Sequence, residues 1–437
     1  MRYFFLFIAT LAISCTSINE NWEADTASPE ATHKSVKHLT DVIIHDIFSP
    51  PQASRIYAYA CLAGYEIMSS QDEKYVSLQG QLNELESLPA PPSEKICTAL
   101  ASNIAISTVG KALIFSEDKM DTHINQLKAD YLAINMPKDV YDRSISYGES
   151  MAKAVIDYAN TDNYNETRSF PKFSVTDEPK RWKPTPPGYM EGIEPSWNKI
   201  RPFTLDSAQQ FKPPFPTEYS TDENSTFYKE TMEVYDAVVK ATDEHKEIAS
   251  FWDCNPYVLN VTGHVMHASK KITPGGHWMG IVSIACRETD ADLSKSLYAY
   301  TATSIALADA FISCWDEKYR SNLIRPETVI NEHIDPNWVP LLQTPPFPEY
   351  TSGHSVISSA AAITLTDIFG DNFAFKDDTE VEFGLPVREF TSFLDASSEA
   401  AVSRLYGGIH YRPAIDNGVT QGQRLGKFLV KKLKFTA

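Results

Sequence analysis

The chain has 437 residues, 43% of them hydrophobic, and a formal net charge of −18 at pH 7. That length supports a large core or two packed subdomains, and the strong negative charge excludes nucleic acid and anionic lipid surfaces as partners. The charge also works mildly against small anions at long range, so an anion site must overcome the global field within a Debye length of ~10 Å.

Residues 1–14 place one basic residue before an apolar run and small residues, the pattern of a secretory signal too short to span a membrane. The sequence AISC ending at Cys15 resembles a bacterial lipobox, which implies cleavage before Cys15, lipidation there and a polar tether over 15–28. The expected location is the bacterial cell envelope, with membrane contact only through that anchor. The other cysteines, Cys61, Cys97, Cys254, Cys286 and Cys314, are odd in number and show no CxxC spacing. At least one is therefore unpaired within the chain, most read as small buried apolar residues, and an oxidising compartment permits one or two bridges.

Residues 29–162 form an N-terminal helical region, in which 29–69 give two helices separated by Pro50-Pro51 and 93–133 and 138–160 give more. Residues 163–225 break the pattern with prolines and aromatics, which predicts an ordered loop crossing the helices. The C-terminal helical region, 226–437, begins with weak signals. His264 and His267 sit three apart on a predicted helix, but no third metal ligand is spaced to match them, so they read as core or surface histidines. His277 and Trp278 follow Pro274-Gly275-Gly276 at the start of another helix. Leu293, Leu297, Tyr300, Ile305, Phe311 and Ile312 outline a long helix leading into Trp315 and Lys318. Strand-like alternation is scarce, so the predicted fold class is all-α, built of helical bundles with a long Pro-rich ordered loop. There is no nucleophile elbow, Walker loop, dinucleotide fingerprint or solenoid repeat.

Three segments then supply one chemistry: Lys318–Pro326 (KYRSNLIRP), Thr344–His354 (TPPFPEYTSGH) and Ser403–His410 (SRLYGGIH). Lys318 and Arg325, seven apart, would project from one face of a continuous helix. Ser355–Phe369 reads as a helix closed by Gly370, which puts Ser352, Gly353 and His354 at its amino end, where free amides and the helix dipole favour an anion. Arg404 ends a helix predicted from Arg388 to Tyr406, the Gly407-Gly408 pair turns His410 back toward it, and Pro413 starts a final helix running to about Leu433. Lysine and two arginines, neutral donors and two histidines suit a tetrahedral oxyanion such as phosphate or vanadate.

The order K-x6-RP, SGH, SR-x5-H resembles the vanadium-dependent haloperoxidases within the phosphatidic acid phosphatase type 2 superfamily, with Thr351 where PSGH usually has Pro. The extended second motif and Trp315 are similar to the haloperoxidase branch, and Trp182–Phe203 is similar to a stretch in bacterial relatives. The resemblance implies vanadate as cofactor, with His410 bonded to vanadium and Lys318, Arg325, Arg404, Ser352 and the Gly353 amide holding its oxygens. It implies His354 as the acid–base group, Lys318 as the group polarising peroxide, and Trp315 and Phe347 as walls of the halide pocket; His277 would be an additional histidine near it. The implied reaction oxidises halide, iodide or bromide, with hydrogen peroxide to hypohalous acid, with an organic acceptor as a further substrate. The superfamily's aspartate four residues after the metal-bonding histidine is here Ala414; Asp416, two further on, or a backbone carbonyl would have to orient the ring. Two alternatives stand: an acid phosphatase in which His410 attacks phosphorus and His354 protonates the leaving group, and a surface lipoprotein that binds an oxyanion without turnover.

Overall fold

The computed structural model describes residues 18–437 except 257, 263 and 264. The signal at 1–14 and Cys15 lie outside the described residues. The chain first forms α1 (Trp22–Asp25), α2 (Glu30–His45), α3 (Pro50–Ser69), α4 (Thr98–Leu113), α5 (Glu117–Ala133), α6 (Lys138–Ala159) and α7 (Tyr164–Thr167). Then come α8 (Thr226–Val239), α9 (Asp243–Phe251), α10 (Pro274–Glu288), α11 (Leu293–Ser321), α12 (Pro326–His333), α13 (Gly353–Phe369), α14 (Phe393–Tyr406) and α15 (Arg412–Lys432). Two antiparallel ribbons interrupt them: β1 (Val258–Thr262) pairs Val258 with Ser269 of β2 (Val265–Ser269), and β3 (Phe375–Asp377) pairs Phe375 with Phe390 of β4 (Arg388–Phe390).

The helix-dominated class is as expected, and the ribbons correct two local readings. His267 lies on β2 instead of a helix, because β-branched Val258, Val261, Thr262 and Val265 favour an extended hairpin over a helical turn. Residues 388–390 are strand, and α14 starts only at Phe393, where the Ser392 hydroxyl accepts from the Asp395 amide at 3.0 Å. Elsewhere local chemistry set the boundaries well. Pro50 and Pro51 occupy the first turn of α3, with Gln52 Oε1 accepting from the Ser49 amide at 3.3 Å.

Helix α11 is the central strut, packing against α3, α10, α13 and α15. It is long and apolar enough to cross a membrane, yet 94% of its most apolar window is packed inside the protein, as befits a core helix. One apolar cluster runs from Val36 and Leu39 of α2 through α3, α11 and α13 to Leu425 of α15. Each of its fully buried Leu or Ile side chains contributes roughly 1.5–3 kcal/mol. The Pro-rich segment is ordered over that core: Trp182 and Trp197 are buried, and the Phe203 and Thr204 amides donate to the Asp309 carboxylate of α11 at 2.7 and 2.8 Å. All five described cysteines are buried and free, so the permitted bridges do not form among them.

Gly422 sets the approach of α15 to α13, since a Cβ there would lie 2.1 Å from the Val356 carbonyl oxygen. That contact brings the start of α15 against the start of α13, where the Ser352 amide donates to the Ala414 carbonyl at 3.0 Å.

Candidate oxyanion site

Lys318 lies in the last turn of α11, which ends as Asn322 turns left-handed at φ 46°. Arg325 caps α12 from an extended conformation. The two cations therefore do not share a helix face; they converge because the chain breaks between them. The extended second motif passes through the gap. Lys318 Nζ donates to the carbonyls of Pro348, Glu349 and Thr351 at 3.1, 3.0 and 2.6 Å, and Arg325 Nε donates to Phe347 O at 3.0 Å.

His410 follows Gly408, whose φ of +77° supplies the predicted turn. Its Nδ1 lies 2.8 Å from Glu349 Oε1, which also accepts from the Tyr411 amide at 3.0 Å. Its Nε2 lies 3.2 Å from Arg325 Nη1. An arginine only donates, so Nε2 carries the lone pair and Nδ1 the proton. This is the tautomer a metal-bonding imidazole needs. Asp416 is exposed and does not orient the ring. Glu349 does so instead, from inside the TPPFPEYTSGH motif; a search confined to residues after His410 could not find it.

Arg404 donates from Nη2 to Trp252 O at 2.7 Å and from Nε to the Ser403 hydroxyl at 2.9 Å. His354, in the first turn of α13, hydrogen-bonds the Trp252 backbone and leaves Nε2 without a partner. The Ser352 hydroxyl caps α13 by accepting from the Ser355 amide at 3.3 Å. A cavity of about 40 Å³ is walled by Trp315, Phe347, Gly353, His354, Arg404 and His410, among others, and Ile193 from the Pro-rich segment. At ~10–15 Å³ per water, that is space for a small ion. Trp315 and Phe347 stack obliquely with centroids 4.9 Å apart. Lys318, Arg325 and Ser352 are fully buried just behind the wall, with Lys318 Nζ 5.0 Å from the Phe347 ring centre. His277 does not reach the cavity; it is buried against Asp377 and Glu380.

A family model described as the VCPO second helical-bundle domain matches residues 298–436. The crystal structure of a bacterial vanadium-dependent iodoperoxidase shares 55% identity and a TM-score of 0.90, over 94% of this chain and 98% of that one. The chain belongs to the vanadium-dependent haloperoxidases. Apo and holo bacterial vanadium-dependent chloroperoxidase structures, at 17% and 16% identity, both with TM-score 0.66, cover 86% and 95% of this chain and 92% and 97% of theirs, and share its fold. No curated protein matches the chain.

The haloperoxidase is an oxidoreductase that uses vanadate, hydrogen peroxide and halide, and its buried groups fit that anion. Burial, with Arg325 adding to it, pushes the Lys318 ammonium down to about 7, and burial pulls Arg325 and Arg404 down to about 10. Burial, then Arg404 for His354 and Arg325 for His410, holds both imidazoles well below the usual histidine range. Burial raises Glu349 to about 7 even beside Arg325 and Lys318. Glu349 is the carboxylate beside Lys318 and Arg325, Asp253 lies near Arg404, and Arg325 Nη2 and His354 Nε2 have no partner. A tetraoxo anion would supply an acceptor for the buried Arg325 Nη2 and added negative charge among the three cations.

A pH dependence follows. As pH rises through about 7, Lys318 loses its proton and Glu349 gains charge; both changes disfavour an anion, so affinity falls. We expect vanadate affinity, measured by dialysis, to weaken several-fold per unit above pH 7 and the slope to flatten in Lys318→Met. Affinity that rises over that range would contradict the assignment.

Proposed function

We propose that the haloperoxidase oxidises iodide with hydrogen peroxide to hypoiodous acid, with vanadate bonded to His410 Nε2, its oxygens held by Arg325, Arg404, Ser352 and the Gly353 amide, and Lys318 adding positive charge from behind the Phe347 wall. The observation that carries the site assignment is the His410 tautomer, set between Glu349 and Arg325. When bound, vanadate supplies a Lewis-acid centre that activates peroxide without a change of oxidation state. The chain's own groups do the rest. His354, kept neutral by burial and Arg404, offers Nε2 as the base that takes a proton from hydrogen peroxide and returns it to departing oxygen. Arg325 and Arg404 stabilise charge on oxygen directly, and the Lys318 ammonium, whose three donors hold carbonyls, adds to the positive field there. Ser352 keeps its hydroxyl hydrogen free to donate, since its oxygen already caps α13.

Iodide is preferred because it is the easiest halide to oxidise and because the structure sharing 55% identity is that of an iodoperoxidase. Trp315 and Phe347 wall the halide side with large polarisable rings that suit a large, weakly hydrated anion. Export, with Cys15 as lipid anchor, belongs to the same proposal. The test compares vanadate-loaded protein on iodide, bromide and chloride with peroxide, alongside a generic phosphate ester. Iodide turnover dependent on both vanadate and peroxide is expected; phosphate ester turnover without peroxide-dependent iodide oxidation would favour the phosphatase.

A further inference from the structure

Cys254, His277 and Glu380 come from separate parts of the chain: the loop after α9, the first turn of α10 and the loop after β3. All three are buried, and their ligand atoms lie within 4.8 Å of one another. Cys254 Sγ is 3.6 Å from His277 Nδ1 and 3.8 Å from Glu380 Oε1, and Nδ1 is 3.0 Å from Oε1. A tetrahedral zinc site with ordinary Zn–S, Zn–N and Zn–O lengths has ligand–ligand edges of about 3.4–3.6 Å. The three atoms thus form one face of such a tetrahedron to within a few tenths of an ångström.

The opposite side of the imidazole is finished as a metal-bonding histidine requires. His277 Nε2 faces Asp377 Oδ2 at 2.7 Å, and Thr379, whose hydroxyl and amide both donate to Asp377 Oδ1, holds that carboxylate in place. A buried carboxylate on the outer nitrogen fixes the ring and raises the basicity of the inner one. Trp252 stacks on the ring, centroids 4.6 Å apart and planes 18° from parallel, and closes the cluster.

We propose that Cys254, His277 and Glu380 bind a divalent transition metal of the zinc class, with Asp377 orienting His277 and a fourth position left to water. Sulfur, imidazole and carboxylate together select a borderline-soft ion over magnesium or calcium. Binding releases two protons to solvent, from the Cys254 thiol and from His277 Nδ1, so the summed charge of cluster plus ion is unchanged. The competing arrangement is a protonated His277 clamped between two carboxylates. There the Cys254 thiol donates weakly to Glu380 Oε1 at 3.8 Å and no sulfur–metal bond forms, the difference X-ray absorption reads. The metal ties the Trp252–Cys254 turn to α10, and the Trp252 backbone is what Arg404 and His354 bond. The ion would therefore be a structural clamp behind the oxyanion site, independent of which halide is used.

The test uses full-length protein expressed with added zinc, desalted and analysed by elemental mass spectrometry and zinc-edge X-ray absorption. About one zinc per chain with one sulfur and the remainder nitrogen or oxygen neighbours is expected. Cobalt(II) added to zinc-free protein should give a thiolate-to-cobalt charge-transfer band, absent in Cys254→Ser, and Asp377→Asn should weaken zinc retention ~10–100-fold. The absorption measurement needs no variant, so a folding failure in Cys254→Ser leaves the proposal testable. Zinc below about a tenth per chain, zinc without a sulfur neighbour, or zinc unaffected by both Cys254→Ser and His277→Gln would overturn it.

Discussion

His354→Ala is expected to lower halide turnover by ~10²–10⁴-fold while leaving vanadate bound. The separation follows from where the side chain's contacts lie. His354 bonds the Trp252 backbone through one nitrogen and presents the other, unpartnered, in the wall of the cavity. It is held neutral, so it adds no charge to the anion's grip and can accept a proton at working pH. Removing it deletes the proton acceptor but none of the three cations. Stopped turnover with vanadium content within a few-fold of wild type is the expected pair of results. Unchanged turnover would contradict the acid–base role, and lost vanadium would show that the ring is instead part of the anion's cradle.

Glu349→Ala is expected to weaken vanadate binding by ~10–100-fold, with Glu349→Gln losing less. The carboxylate takes the His410 Nδ1 proton and the Tyr411 amide on one oxygen. Alanine leaves both donors unsatisfied in a fully buried place, which costs about 1–3 kcal/mol for each, and lets the ring rotate. Glutamine can still accept both through its amide oxygen, so it keeps the orientation but gives up the charge that makes His410 more basic. Comparing the two by vanadium titration separates those contributions. Equal affinities in all three proteins would mean that the imidazole is positioned by something else.

The convergence of the three motifs was readable because their residue types are rare together: a lysine, two arginines and two histidines in three short segments, with glycines where the chain must turn. The structure brings all of them together. The path of the chain was less readable. A spacing of seven suggested one helix face for Lys318 and Arg325, yet Asn322 turns left-handed and ends α11, and nothing in periodicity marks an asparagine that does so. Lys318 was expected to point at the anion, but all three of its donors hold carbonyls of residues 348–351, which explains why this motif is extended: its backbone is part of the packing around the cations. Glu349 stood in plain view within that motif, but orientation of His410 from 61 positions upstream is a tertiary fact. The same is true of Cys254, His277 and Glu380, which sequence distance kept apart. Local chemistry succeeded where the decisive energy is local, as at Ser352 capping α13 and the proline pair opening α3.

The central claim is that His410 Nε2 bonds the metal of the bound anion. Vanadium-edge X-ray absorption on the loaded protein tests it directly. The account predicts one imidazole nitrogen among the neighbours of vanadium in wild type, lost together with tight binding in His410→Ala. An all-oxygen environment in wild type, or a nitrogen neighbour that persists in His410→Ala, would contradict it.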